Sequence, residues 1–195
     1  LTFVATANCV RYTGATPVFA DINGENDLTI SLASIQKLVN HRTKAIIVMH
    51  YAGYACDMTG IIEWARSQHL PVIEDAAHAV GSYLDNKHLG TLGSAGCFSF
   101  FSNKNLSTGE GGMIVTNDDA LAEKFRLMRS HGMTSLTWDR HQGHAWSYDV
   151  VTLGYNYRID ELHSALGREQ LRKLNGNNHR RREITTLYRD LLKEL

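Results

Sequence analysis

The chain has 195 residues, 43% of them hydrophobic and 21% charged, which suits one domain of ordinary size with a sizeable core. Twenty basic residues balance twenty acidic ones, which argues against nucleic-acid binding by bulk charge but leaves room for a local phosphate pocket. No apolar run reaches the roughly 18 residues of a membrane span and no signal peptide is visible, so no membrane partner is expected and the cytoplasm is the expected location.

Strand and helix alternate along the chain. Residues 1–4 read as the end of an apolar strand, and 16–21 (TPVFAD) as a short strand. A helix over 32–39 follows Ser31, a candidate N-cap, with Leu32, Ile35, Leu38 and Val39 on one face. Residues 44–49 (KAIIVM) form a continuous apolar run, as in a strand buried on both faces. Asp57 precedes a helix over 58–69, and 71–74 (PVIE) is another buried strand. Residues 95–101 and 113–116 are strand-like, and 118–130 is an amphipathic helix with Leu121, Phe125 and Met128 on one side. A polar stretch rich in His, Gly and Trp covers 132–147, then come GYNYR at 154–158, a helix over 160–174 and a charged helix over 175–195. This rhythm implies a three-layer αβα fold with a mostly parallel mixed sheet. Ligands in such folds bind at the carboxyl ends of strands. The chain starts at Leu1 and ends inside a helical pattern, so it reads as a fragment of a longer protein.

Several residues could carry chemistry. Glu74 and Asp75 end a strand, and strand geometry sends them to opposite faces, so one of them points into any given pocket. Asp75 reads equally as a helix cap ahead of Ala76-Ala77. Lys104, in FSFFSNKN, lies three residues beyond an aromatic strand, where a lysine commonly points into solvent. The glycines of GEGG, at 109–112, let the backbone turn sharply beside a ligand, or simply form a hairpin turn. Ser99 can offer a hydroxyl to an anion. An amine, a strand-end carboxylate and a phosphate-binding hydroxyl are what pyridoxal phosphate requires of a protein. Cys9, Cys56 and Cys97 are odd in number and lack a C-x-x-C pair, so they read as isolated small hydrophobes in a reducing compartment. His131, His141 and His144 share a polar loop without metal-ligand spacing, and no metal site is expected.

The order and spacing of TFVATAN, GATPVFADI, HYAG, EDAAH, FSFFSNKN, GEGGMIVTND and GYNYR resemble the DegT/StrS family of nucleotide-sugar aminotransferases, from residue 1 to about 188. The resemblance implies the large domain of a fold-type I pyridoxal-phosphate transferase. It makes Lys104 the Schiff-base lysine, Asp75 the partner of the pyridine nitrogen, and His78 a neighbour of the cofactor's 3-oxygen. A histidine there could also be a helix-face residue bonded to backbone. Ser99 matches the phosphate-binding hydroxyl, and Phe3 the aromatic ring stacked on the pyridine. Asn156, assisted by Arg158, matches the group that reaches the cofactor phosphate of a neighbouring subunit, so a homodimer with shared sites is implied. Substrates on this reading are a nucleotide-linked keto sugar, aminated at C4 as in the UDP-4-keto-arabinose type, and an amino donor, L-glutamate. The resemblance further implies that an upstream phosphate loop and a C-terminal small domain are absent from 1–195, that 175–195 leads towards that small domain, and that the isolated chain is inactive. Two other readings stand beside it. One is a catalytically silent regulator or scaffold on the same fold, against which the Lys104–Asp75 pair argues. The other is a lyase, dehydratase or desulfurase; a lysine rather than a histidine at 104 favours amination over dehydration.

Overall fold

The computed structural model describes residues 1–134, 142–143 and 147–193. Helix α1 (Val4–Tyr12) leads to a hairpin of β1 (Ile22–Gly24) and β2 (Asp27–Ile30), then α2 (Leu32–Leu38) and β3 (Ile46–Met49). Helix α3 (Met58–Ser67) connects to β4 (Val72–Asp75), followed by a small hairpin of β5 (Tyr83–Leu84) and β6 (Lys87–His88). Strands β7 (Ala95–Ser99) and β8 (Gly112–Val115), α4 (Asp119–Arg129) and α5 (Glu161–Leu191) complete the described elements. Helix starts obey capping chemistry. The side chains of Ser31, Asp57, Asp118 and Asp160 each accept the amide three residues on, filling one orphan donor of the first turn.

The main sheet runs β3-β4-β7-β8. The first three strands are parallel and β8 is antiparallel to β7. Register decides what each face does. Val48 lies opposite Glu74, and Glu74 opposite Gly96, so these side chains share one face. That face packs on α2 and α3 through Ile35, Ile46, Val48, Met58, Ile61, Ala65 and Val72. Met49, Asp75 and Cys97 are likewise in register and point the other way, with Ser99 two residues further along the same face. Helix α1 lies over this second face. The Thr2 hydroxyl approaches the Met49 sulfur at 3.6 Å, and Thr6 Oγ1 donates to Asp75 Oδ2 at 2.5 Å.

The packing face owes its tightness to glycine. A Cβ on Gly96 of β7 would sit 1.9 Å from the Gly90 carbonyl oxygen, so the loop after β6 crosses the strand in backbone contact. Gly90 itself has φ +91 and leaves no room for a side chain beneath the Phe98 ring.

The α/β class and the mixed, mostly parallel sheet agree with the sequence expectation. Four local readings do not. The amino-terminal stretch is not the tail of a strand: Phe3 is the extended N-cap of α1, whose alanines favour helix. Residues 16–21 form no strand. Pro17 lacks an amide hydrogen, and Asp21 spends its backbone on Ser34 Oγ and the Ser31 amide rather than on a ladder. The strands there are β1 and β2. Finally, the two helices expected over 160–174 and 175–195 are one, α5, and no Pro interrupts it. Asp75 caps no helix either, since 76–82 is a series of turns. Residues 135–141 and 144–146, with His141 and His144, lie outside the described residues.

Candidate active site

The carboxyl ends of β4 and β7 and the loop after β7 carry the polar groups. Asp75 is the last residue of β4 and is half-buried. Its Oδ1 accepts the Ala77 amide at 3.1 Å and its Oδ2 the Thr6 hydroxyl. Ser99 closes β7 on the same face as Asp75. Its oxygen accepts the Phe101 amide at 3.3 Å, which leaves the hydroxyl hydrogen free to donate.

Lys104 sits in the loop that joins β7 to β8, and it is half-buried rather than splayed into water. Its neighbours fix that loop. Asn105 Nδ2 donates to the Val80 carbonyl at 2.6 Å and to Asn178 Oδ1 of α5 at 3.2 Å, while Asn178 Nδ2 donates to the same carbonyl at 3.3 Å. Leu106 is buried against Val80 and Leu174. The loop is therefore pinned at the two residues that follow the lysine.

His78 lies three residues beyond Asp75, in the turns that follow β4. Burial and the Lys104 ammonium hold its imidazole below the usual histidine value, partly offset by the Asp75 carboxylate. Its Nδ1 accepts the Ala52 amide at 3.3 Å. That bond assigns the remaining hydrogen to Nε2, so at neutral pH His78 is an uncharged ring with one donor to offer. Ala52 can present its amide because it adopts φ 53 within the short turn Tyr51–Gly53, and the Tyr51 ring meets His78 edge-on at 6.1 Å.

Directly behind, Glu74 and His50 form a fully buried pair, Nε2 to Oε2 at 2.9 Å. Glu74 also accepts the amides of Gly90, Leu92 and Gly93 at 2.6–2.7 Å. Burial would raise its pKa, but these donors together outweigh burial and hold the carboxyl below its ordinary value. His50 Nδ1 accepts the Cys56 amide at 3.3 Å, which directs the Nε2 hydrogen to the carboxylate.

Phe3, 58% exposed, stands at the start of α1 one turn ahead of Thr6. Asn156 and Arg158 are exposed. Asn156 bridges to Ser130, and Arg158 donates to Ser130 Oγ at 3.0 Å. Among the described residues no hydrogen bond links either of them to Lys104, Asp75 or Ser99. Two thiols are disarmed: burial pushes Cys56 and Cys97 up to about 11, with the Asp75 carboxylate adding to the effect on Cys97. Cys9 is exposed on α1 rather than packed as a small hydrophobe.

Thr6, His50, Asn105 and Asn178 had no assigned chemistry in the sequence. The first three lie in or beside motifs that mark the site, TFVATAN, HYAG and FSFFSNKN. Asn178 carries no local signal, because its partners are 73 and 98 residues away.

The donor set fits pyridoxal phosphate: a lysine amine, a carboxylate for the ring nitrogen, a neutral histidine donor and a free hydroxyl, all around one end of the sheet. The comparisons agree. The chain matches the DegT/DnrJ/EryC1/StrS aminotransferase family over residues 1–195. It is 43% identical over 196 residues to the spore coat polysaccharide biosynthesis protein SpsC of Bacillus subtilis, covering all of this chain and 50% of that protein. It is 40% identical to the GDP-perosamine synthase of Escherichia coli O157:H7, covering 100% and 51%. Among solved structures, PseC of Helicobacter pylori, an aminotransferase of pseudoaminic acid biosynthesis, superposes with a TM-score of 0.91 at 38% identity, covering 100% of this chain and 50% of that one. DesI in the presence of its TDP-sugar product gives 0.87 at 31% identity, covering 100% and 46%. The PLP form of Spr1654 of Streptococcus pneumoniae gives 0.85 at 25% identity, covering 97% and 51%. The chain spans about half the length of the curated relatives it matches, and it belongs to the DegT/DnrJ/EryC1/StrS aminotransferase family.

Proposed function

We propose that this chain forms the lysine-bearing part of a pyridoxal-phosphate-dependent aminotransferase that acts on a keto sugar carried by a nucleoside diphosphate. The observation that carries the reading is the placement of Asp75 and Ser99 on one face at the carboxyl ends of β4 and β7, with half-buried Lys104 in the loop that follows, in a chain matched by the family from end to end. Amination at C4 with L-glutamate as donor is the finer reading, and the GDP-perosamine and TDP-sugar names among the relatives support a nucleotide-sugar substrate.

Pyridoxal phosphate, when bound, supplies a carbonyl that condenses with amines and a ring that takes up electrons from a breaking C–H bond. The residues of this chain do the rest. Lys104 Nζ would hold the group through its carbonyl and would be the base positioned to carry the proton lost from the donor's amine-bearing carbon. Asp75 holds a proton on the ring nitrogen. His78 Nε2–H would donate to the 3-oxygen without adding charge, and the Ser99 hydroxyl would donate to the phosphate. Phe3, exposed one turn ahead of Asp75's partner Thr6, would stack on the ring face. The exposure of Asn156 and Arg158 suits contact with the site of a second copy, and a homodimer is part of that reading.

The test uses the full-length protein. Borohydride reduction should fix the cofactor on Lys104, as peptide mass would show. Lys104→Ala should lose the visible absorbance and the transamination of a nucleotide-sugar panel. Normal turnover by that variant would overturn the assignment. Cofactor absorbance without transamination of any donor and sugar pair would favour a silent regulator.

A further inference from the structure

Helix α1 buries none of its nine residues, so apolar packing does not by itself fix its place on the sheet. The side-chain bond that ties it to the sheet is made by the hydroxyl of Thr6, with the Thr2 hydroxyl just ahead of the helix reaching the Met49 sulfur. The link from Thr6 Oγ1 to Asp75 Oδ2, at 2.5 Å, lies in the range of a hydroxyl donating to an ionised oxygen. Threonines at helix positions ordinarily turn their hydroxyls back on their own helix. Thr13, Thr185 and Thr186 do so here, donating to the carbonyls of Val10, Arg181 and Arg182. Thr6 instead donates outward, across 69 residues of sequence, to the strand-end carboxylate. Its backbone faces the other way: the Thr6 amide donates to the Phe3 carbonyl at 3.1 Å. One residue thus touches both the carboxylate and the helix cap that carries the aromatic ring. With Ala77 on Oδ1, Asp75 is gripped at both oxygens from two separate segments, and a carboxylate with about four acceptor sites keeps room for a further donor.

We propose that Thr6 is a positioning residue of the cofactor site, setting the rotation of the Asp75 carboxylate and the distance of Phe3 from it as a single unit. This rests on the reading of Asp75 and Phe3 given above. Thr6 touches no reacting atom in this scheme. It acts by removing the freedom of Asp75 to turn away from the ring nitrogen, and by keeping α1 seated without buried apolar contacts.

The full-length protein would be loaded with pyridoxal phosphate and compared with Thr6→Val, which keeps the shape and loses the donor, Thr6→Ser, which keeps the donor, and Asp75→Asn. Two quantities are read besides turnover: the cofactor dissociation constant, and the pH midpoint of the bound cofactor's visible absorbance. Thr6→Val should weaken cofactor binding about ten-fold, the worth of a hydrogen bond to a charged group. It should move the midpoint in the same direction as Asp75→Asn, by about half a pH unit or more. Thr6→Ser should stay near the parent in both. If valine disrupts folding of the cofactor-free protein, Thr6→Ala, favourable in a helix, makes the same comparison. If Asp75→Asn shifts both quantities and neither donor-free variant does, the Thr6 proposal fails alone. If Thr6→Ser behaves like Thr6→Val, the hydroxyl is not the operative group and the proposal also fails. If Asp75→Asn changes nothing, the reading of Asp75 itself is wrong.

Discussion

Glu74 and Asp75 are covalent neighbours of the same charge, yet they belong to two different environments. Glu74 is fully buried on the packing face and accepts four hydrogen bonds, from His50 and three loop amides. Asp75 is half-exposed on the opposite face and accepts two. A saturated carboxylate has nothing left to offer a ligand, and its work is to staple the loop at 90–93 and His50 to the sheet. An incompletely satisfied one keeps acceptor sites for something that arrives. Strand alternation makes the division possible within one dipeptide. The two faces still communicate, because His50 opens the turn whose Ala52 amide holds His78.

That comparison can be broken, beginning with the largest effect. Glu74→Ala leaves three amides and His50 without their buried partner and should cost about 3–5 kcal/mol of stability, read as a large fall in the denaturation midpoint. Asp75→Asn should do the reverse, melting close to the parent while the full-length enzyme loses about 10²–10³ in kcat. If the Asp75 variant unfolded and the Glu74 variant did not, the assignment of the two faces would be inverted. Asn178→Ala should cost about 1 kcal/mol. Its sharper signature is faster hydrogen exchange at 101–108, since it loosens the loop that bears Lys104. The smallest effect is on acid stability. Glu74 has a folded pKa below its ordinary 4.5, so its stabilisation is complete above about that pH and is lost as pH falls through the lowered value. The stability gap between the parent and Glu74→Gln should therefore be widest above pH ~4.5 and narrow below it.

Much of the sheet was legible before any coordinates, because KAIIVM and PVIE are apolar runs of strand length and helices begin at Ser31, Asp57 and Asp118 with plain capping side chains. The opposed orientation of Glu74 and Asp75 follows from the same periodicity. Helix α1 was not legible as a helix, since an apolar start without a Ser, Thr, Asp or Asn cap looks like a strand; Phe3 fills that place without a side-chain bond. TPVFAD read as a strand because its residues favour one, but strand propensity needs a partner and this stretch finds none among the described residues. At the site, the ionisable groups could be named from motifs. The hydroxyl, the two amides of Asn105 and Asn178 and the buried imidazole that hold them could not, because each works through contacts 24 to 98 residues apart.

The Asn105–Asn178 contact also orders events in time. Asp75 and Lys104 leave the ribosome well before the helix that pins the lysine loop, and 73 residues separate the two amides. At about 5–20 residues per second that gap is about 4–15 s of synthesis. During those seconds the lysine loop has its strands but not its clamp, so its fixed shape waits on the long helix, after Asp75 and Lys104 have already emerged.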